Sequence, residues 1–495
     1  MTSKEVDVSA VMTSKELDVG AVMMSKEVDV GAVMMSKEVN VGAVMTSKEV
    51  SVSAVMTSKE VCVSAVMTSK EVSVSAVMTS KEVIPVDPTT SSPTELKDQV
   101  IYVLPRSDGQ AGVLRNITSS SDEIVLWKPD SPEHIEKNKE VHFYVNASLV
   151  EEVKSQLTES AISYTVLVQN AQELIHQQTY NDTTGQRSSA SYYEQYHSLD
   201  DIYFWMEQMV DKHSDMLERI HIGSSYEKRP LYVLKLSGKG KKDTSNAIWI
   251  DCGIHAREWI SPAFCMWFIG HAIGFYDVDQ QMTKLLQHTD FYVLPVMNVD
   301  GYQYSWNTKR MWRKNRSKHP HSNCIGVDLN RNFDAGWCGS GASGNPCDET
   351  YCGRFPESEP EVAAVTNFIR QNTDIIKGYI TIHSYSQMVL FPYSYKKEKS
   401  KDHDELAQLA KKVIDVIKQT TRNRYVSGTG ADTIYLAPGG SDDWAYDLGI
   451  KYSFTIELQD KGTYGFLLPP KLIRPTCSEA LTGIKIISAY IVKNM

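Results

Sequence analysis

The sequence predicts an α/β domain with helices on both faces of its sheet, preceded by a small α+β module and a low-complexity extension. Three observations predict it. Residues 1–83 repeat an 11-residue unit. Residues 98–187 read as strand, helix, strand, strand, helix, strand with a trailing helix, the order of a split βαβ sandwich. Residues 188–495 alternate strand and helix patterns over a length that suits one substantial core.

The repeat opens as Met1-Thr2-Ser3-Lys4-Glu5-Val6-Asp7-Val8-Ser9-Ala10-Val11 and restarts at Met12, Met23, Met34, Met45, Met56 and Met67, with a truncated copy at Met78. Thr2 and Glu5 could form a helix capping box. However, Val6, Val8, Ala10 and Val11 make no helical stripe, and β-branched residues are poor helix formers. Solenoid repeats usually need about 20 residues or more each. The expectation is an unstructured extension, with Cys62 lacking a structural partner. Residues 84–97 form a Pro/Ser/Thr-rich linker.

In the module, strand patterns cover 99–104, 123–127, 141–145 and 164–169, and helical patterns cover 110–116, 150–158 and 171–178. Asn116, Asn146 and Asn181 each begin an Asn-x-Ser/Thr glycosylation sequon. A polar joint follows at 181–191. Beyond it, strands are expected at 231–236, 247–250, 291–296, 378–382 and 451–458. Helices are expected at 199–210, 261–275, 359–371, 402–419 and 475–492.

Composition narrows the function. Apolar residues are 42% and charged residues 23%, ordinary for a globular protein. A net charge of −10 argues against a general nucleic-acid binder. No uninterrupted apolar stretch is long enough to span a membrane. Six of the eight Cys fall between Cys252 and Cys352, which suggests three disulfides and an oxidising compartment. Spacing alone leaves 15 pairings open, and a set of buried free thiols is the structural alternative. Secretion is expected, although the repeat stands where a signal segment belongs.

The chemistry begins after the strand at 247–250, in Asp251-Cys252-Gly253-Ile254-His255-Ala256-Arg257-Glu258-Trp259. Ligands in open α/β sheets sit beyond the C-terminal strand ends. An imidazole and a carboxylate three residues apart can chelate one ion, though a His–Glu pair at a helix start explains the same spacing. A catalytic zinc needs a third protein ligand and an open position. His383, after the strand at 378–382, is the best candidate, against the commoner structural role of a strand-end His.

Longer motifs surround these residues. They include Arg310-Met311-Trp312-Arg313-Lys314, Asp328-Leu329-Asn330-Arg331-Asn332-Phe333 and His383-Ser384-Tyr385-Ser386-Gln387. They continue in Ile434-Tyr435-Leu436-Ala437-Pro438-Gly439-Gly440-Ser441-Asp442-Asp443-Trp444 and Lys451-Tyr452-Ser453-Phe454-Thr455-Ile456-Glu457-Leu458. In this order they resemble the zinc metallocarboxypeptidases of the pancreatic A/B group, over about residues 188–495. The module before them resembles that family's activation segment.

The resemblance implies a mixed sheet and one Zn2+ held by His255, Glu258 and His383. It implies Glu457 as general base and Arg313 as stabiliser of the oxyanion. Asn330, Arg331 and Tyr435 match the clamp on a substrate's terminal carboxylate, and Arg257, Ser384 and Tyr385 match residues lining the cleft. Asp442 matches the base of the side-chain pocket, where an acid selects Lys or Arg. The implied disulfides are Cys252–Cys265, Cys324–Cys347 and Cys338–Cys352. Gln459 departs from the family's usual Arg and removes a charge expected near Glu457.

The expected function is a secreted zinc exopeptidase made as a zymogen and cut after Arg187. It would release C-terminal Lys or Arg from peptides and proteins. Its activator would be a trypsin-like serine protease of the thrombin or plasmin kind. The alternative is a catalytically inactive binding module of the same fold. Such a module is expected to lose a ligand or the base, and none is lost here.

Overall fold

In the computed structural model, the described residues are 97–179, 192–241 and 245–494, together with seven backbone strands between residues 6 and 78. Those strands are β1 (Val6–Thr13), β2 (Glu16–Met24), β3 (Glu27–Met35), β4 (Glu38–Thr46), β5 (Glu49–Thr57), β6 (Glu60–Met67) and β7 (Glu71–Met78). They build two parallel sheets, β1-β3-β5-β7 and β2-β4-β6. The expectation of an unstructured extension is corrected here. Alternate copies pair in register, Val6 with Val28, so the stacking unit is 22 residues rather than 11. That length meets the minimum a single copy misses, and the Val-x-Val alternation suits a strand.

The small module contains β8 (Gln99–Val103), α1 (Asp108–Ser119), β9 (Ile124–Lys128), β10 (Val141–Val145), α2 (Val150–Glu159), β11 (Tyr164–Val168) and α3 (Ala171–Thr179). Its antiparallel sheet has the order β11-β8-β10-β9. Strand alternation sends Ile101, Val103, Leu126 and Phe143 into a core with Leu114 and Leu157 of its own helices. Val100, Val125 and Trp127 point the other way, onto Met311, Tyr385, Phe466 and Leu467 of the larger domain. The module is therefore buried on both faces of its sheet.

The larger domain opens with α4 (Leu199–Lys212), β12 (Leu217–Ser224), β13 (Pro230–Leu236), β14 (Ala247–Cys252), α5 (Ile260–Gly274), α6 (Gln280–His288), β15 (Asp290–Leu294) and α7 (Val299–Asn307). It continues with α8 (Pro360–Gln371), β16 (Ile376–His383), β17 (Met388–Phe391), α9 (His403–Thr421), β18 (Val426–Thr429), α10 (Gly430–Thr433), α11 (Ser441–Asp447), β19 (Tyr452–Glu457) and α12 (Ile473–Lys493). The eight-stranded mixed sheet runs β12-β13-β15-β14-β16-β19-β17-β18. Its centre, β15-β14-β16-β19, is parallel.

Central strands alternate between two cores. Ile248, Ile250 and Cys252 pack with Phe264, Phe268, Leu409 and Ile484 on one face. Ala247 and Trp249 pack with Val362, Val365 and Trp444 on the other. The buried stripe of α9, Leu406, Leu409, Ala410, Val413 and Ile417, has helical spacing. Disulfides join Cys252 to Cys265, Cys324 to Cys347 and Cys338 to Cys352, and Cys477 is a buried free thiol. Among the described residues, no helix is long and apolar enough to cross a membrane. Asn181, Arg187 and residues 84–96 lie outside the described residues.

Candidate metal centre and substrate cleft

Parallel pairing brings three strand ends together. Cys252 of β14 pairs with Ile382 of β16, and His383 of β16 pairs with Glu457 of β19. His255 and Glu258 follow β14 in the loop before α5. The donor atoms of His255, Glu258 and His383 lie within 4.8 Å of one another, and all three side chains are buried.

Each imidazole is held from behind. His255 Nδ1 lies 2.7 Å from Glu258 Oε1, while its Nε2 faces Asp328 Oδ1 at 3.1 Å. His383 Nδ1 lies 3.2 Å from Glu258 Oε2, while its Nε2 faces Thr381 Oγ1 at 3.1 Å. Both rings thus aim the same nitrogen inward and spend the other on a hydrogen bond, the arrangement of metal-ligating histidines. Burial alone would raise the Glu258 carboxyl, but His255 and His383 outweigh it and hold the group low. Glu457 Oε2 is buried with no hydrogen-bond partner. Two imidazoles, one carboxylate and a nearby unpartnered oxygen fit a zinc ion with an open position.

Burial pushes the Glu457 carboxyl up to about 8, against the opposing pull of His383 and Arg313. Arg313 is buried and pairs Nη2 with Asp328 Oδ2 at 2.9 Å, so Asp328 orients His255 and Arg313 together. The sequence motif contains Asp328 at its head, yet its role is visible only from the two partners.

His255, Glu258, His383, Arg313 and Glu457 line one cleft of about 390 Å³ with Asn330, Arg331, Ser384, Tyr385, Tyr435 and Asp442. Asn330 Oδ1 accepts from the Ser441 backbone N–H at 3.0 Å, which ties the clamp to α11. Thr455 donates to Asp442 Oδ2 at 2.8 Å. Burial raises the Asp442 carboxyl, and the Thr455 hydrogen bond opposes that. Neighbouring Asp443 does not line the cleft. It accepts from the backbone N–H groups of Ser394 and Tyr395 and secures their loop.

Arg257 lies outside the cleft lining, fully buried behind the Phe466 ring, with Nε and Nη2 unpartnered. The small N-terminal module covers that corner through the Trp127–Phe466 contact. Gln459 does not face Glu457 at all. It donates to Glu479 of α12 at 2.6 Å, away from Glu457.

The cleft already holds a carboxylate. Asp130, in the loop after β9, accepts from Arg331 Nη2 at 2.5 Å and lies 3.5 Å from Arg313 Nη2. Burial alone would raise its carboxyl, but Arg331, His134 and Arg313 outweigh it and hold it below the usual range. His134 stacks on the Tyr435 ring at 4.4 Å, and His142 Nδ1 meets the Tyr385 hydroxyl at 2.9 Å. Sequence reading missed Asp130 and His134, since no local pattern marks a loop residue that docks on a distant domain.

Comparison with known proteins agrees with this geometry. A family described as zinc carboxypeptidase matches residues 202–483, and one described as carboxypeptidase activation peptide matches residues 101–178. Carboxypeptidase B2 of Rattus norvegicus is 58% identical over 397 residues, 80% of this chain and 94% of that protein. Carboxypeptidase B2 of Homo sapiens is 58% identical over 399 residues, again 80% of this chain and 94% of that protein. A crystal structure of thrombin activatable fibrinolysis inhibitor superposes with a TM-score of 0.78 at 57% identity, covering 81% of this chain and 100% of that one.

Proposed function

Because this chain belongs to the zinc carboxypeptidase family, we propose that it removes Arg or Lys from peptide C-termini after an activating cut at Arg187. It is a zymogen, a zinc-dependent exopeptidase that uses one zinc ion per chain. The observation that carries the proposal is the Arg331–Asp130 pair, an internal carboxylate held in the cleft that contains the His255, Glu258 and His383 cluster. A guanidinium fork suits a carboxylate, and a substrate's terminal carboxylate would take the place of Asp130.

His255, Glu258 and His383 would hold the zinc, which when bound polarises the scissile carbonyl and lowers the pKa of a water. Glu457 accepts the proton of the attacking water and returns it to the leaving amine. Arg313 stabilises the oxyanion, with Asp328 fixing its orientation. Arg331, Asn330 and Tyr435 hold the terminal carboxylate, so only the last peptide bond reaches Glu457. Asp442 receives the cation of the last side chain. Arg257, Ser384 and Tyr385 bind residues further from the terminus once the activation module has left.

The domain boundaries follow this reading: a repeat tract at 1–83, a linker at 84–97, an activation domain at 98–187 and a catalytic domain at 188–495. The activator would be a trypsin-like serine protease of the thrombin or plasmin kind. Three disulfides and the sequons at Asn116, Asn146 and Asn181 support secretion and glycosylation. The test is hydrolysis of peptides ending in Arg, Lys, Phe or Leu, before and after trypsin, alongside zinc content. Arg and Lys peptides should be cleaved only after trypsin. Equal turnover of all four would refute the specificity, and turnover of none would favour an inactive binding module.

A further inference from the structure

Asp251 is a fully buried carboxylate that no step above uses. It lies in β14, paired in register with Thr381 of β16. Both of its oxygens accept hydrogen bonds. Thr381 Oγ1 donates to Oδ1 at 2.6 Å, and Trp249 Nε1 donates to Oδ2 at 2.8 Å. A threonine hydroxyl has one proton. With that proton given to Asp251, Thr381 Oγ1 can only accept from His383 Nε2, 3.1 Å away. In that arrangement Nε2 of His383 is the donor of the contact. Nδ1, on the Glu258 side of the ring, is then the nitrogen that faces the metal position.

His255 reaches the same state by a shorter route, since its Nε2 meets the Asp328 carboxylate directly. The two rings therefore differ in how they are backed. One rests on a carboxylate, the other on a hydroxyl that passes its proton to a carboxylate one strand away.

We propose that Asp251 is a positioning residue for the metal site, acting through the Thr381 hydroxyl to lock His383 as the Nε2–H tautomer with Nδ1 free for the ion. The proposal rests on the zinc-site reading above. Asp251 touches neither substrate nor metal. Removing outer hydrogen-bond partners of this kind typically costs about 10–100-fold in metal affinity.

The test uses the full chain, stripped of metal and titrated with zinc against a competing chelator. Zinc uptake by the parent tests the metal site itself. A parent without uptake refutes that site, and the relay falls with it. With a parent that binds, the variants read the relay alone. Thr381→Val keeps the shape and drops the hydroxyl, and should weaken zinc binding about 10–100-fold. Thr381→Ser restores the hydroxyl and should bind close to the parent. Asp251→Asn should lose affinity as Thr381→Val does. Parent-like affinity in Thr381→Val overturns the proposal, and so does an equal loss in Thr381→Ser, which marks a packing role. Should Thr381→Val fail to fold, Asp251→Asn must lose affinity while Thr381→Ser keeps it, and any other result overturns the proposal.

Discussion

At the scale of single residues, the site depends on carboxylates that burial would make costly without partners. Glu457 stands with an unpartnered oxygen beside His383, which suits a proton acceptor and makes little sense as a structural acid. Glu457→Gln should keep about one zinc per chain and lose turnover by about 10²–10⁴-fold, read by metal analysis and peptide hydrolysis on the same preparation. Near-normal turnover would assign the base elsewhere. Asp442 is a buried acid whose Oδ2 accepts from Thr455. Truncating one member of a buried charge pair typically costs about 2–5 kcal/mol, which exceeds a tenfold change even at the low end. Asp442→Ala should therefore lower kcat/KM on Arg-ending peptides more than tenfold and change Phe-ending peptides little. Equal losses on both would make Asp442 a structural residue. The residues proposed as ligands, base, clamp and pocket acid could be nominated from the sequence, because each lies inside a motif of several consecutive residues. Asp328 and Asp251 head such motifs as well, and Thr381 lies in an expected strand, yet nothing in those runs shows what they do. Their roles are defined by atoms on other strands and loops, and a hydroxyl or carboxylate in isolation says nothing about what it backs.

At the scale of elements, strand ends and one docked loop do the organising. The parallel run β14-β16-β19 places His255, His383 and Glu457 at one edge because its residues pair in matching register. Its apolar patterns made those strands recognisable in advance. The edge strands β12 and β18 and the short strand β17 were not, since β12 and β18 are mostly unburied and β17 and β18 have only four residues each. The loop after β9 closes the cleft through Asp130 on Arg331. Replacing Asp130 by Ala leaves Arg331 buried without that partner, so the module should undock more than tenfold more often. Uncleaved Asp130→Ala should then hydrolyse a small Arg-ending substrate faster than the uncleaved parent, and equal rates would move the inhibitory contact elsewhere. The sign of the pH response follows. Asp130 is held below the ordinary carboxylate range of about 4, so its docking contribution is complete above that range. It is lost only as the pH falls through the lowered value of the docked state. The uncleaved chain should stay closed at pH 5, which a fluorogenic assay at pH 5 and 7 would check.

At the scale of the whole molecule, latency is a property of two domains sharing one cleft. Trypsin treatment should yield a fragment beginning at Ser188 with activity appearing in parallel, and Arg187→Gln should block both. Activation of Arg187→Gln at the parent's rate would place the cut elsewhere. Deleting residues 1–83 should alter neither zinc content nor turnover, since every residue lining the cleft lies between Trp127 and Phe466. By itself the sequence determined the α/β class and the carboxypeptidase family with its preference for basic C-termini, and it nominated the residues proposed for the metal and the side-chain pocket. These are written in contiguous motifs and in apolar periodicity, which survive reading one residue after another. Only the tertiary structure decided what fills the cleft of the uncleaved chain, which acids stand behind the two histidines, where Gln459 turns, and that alternate repeats pair. Each of those depends on a contact between residues far apart in sequence. Such contacts are chosen by strand register and burial, and no local pattern records them.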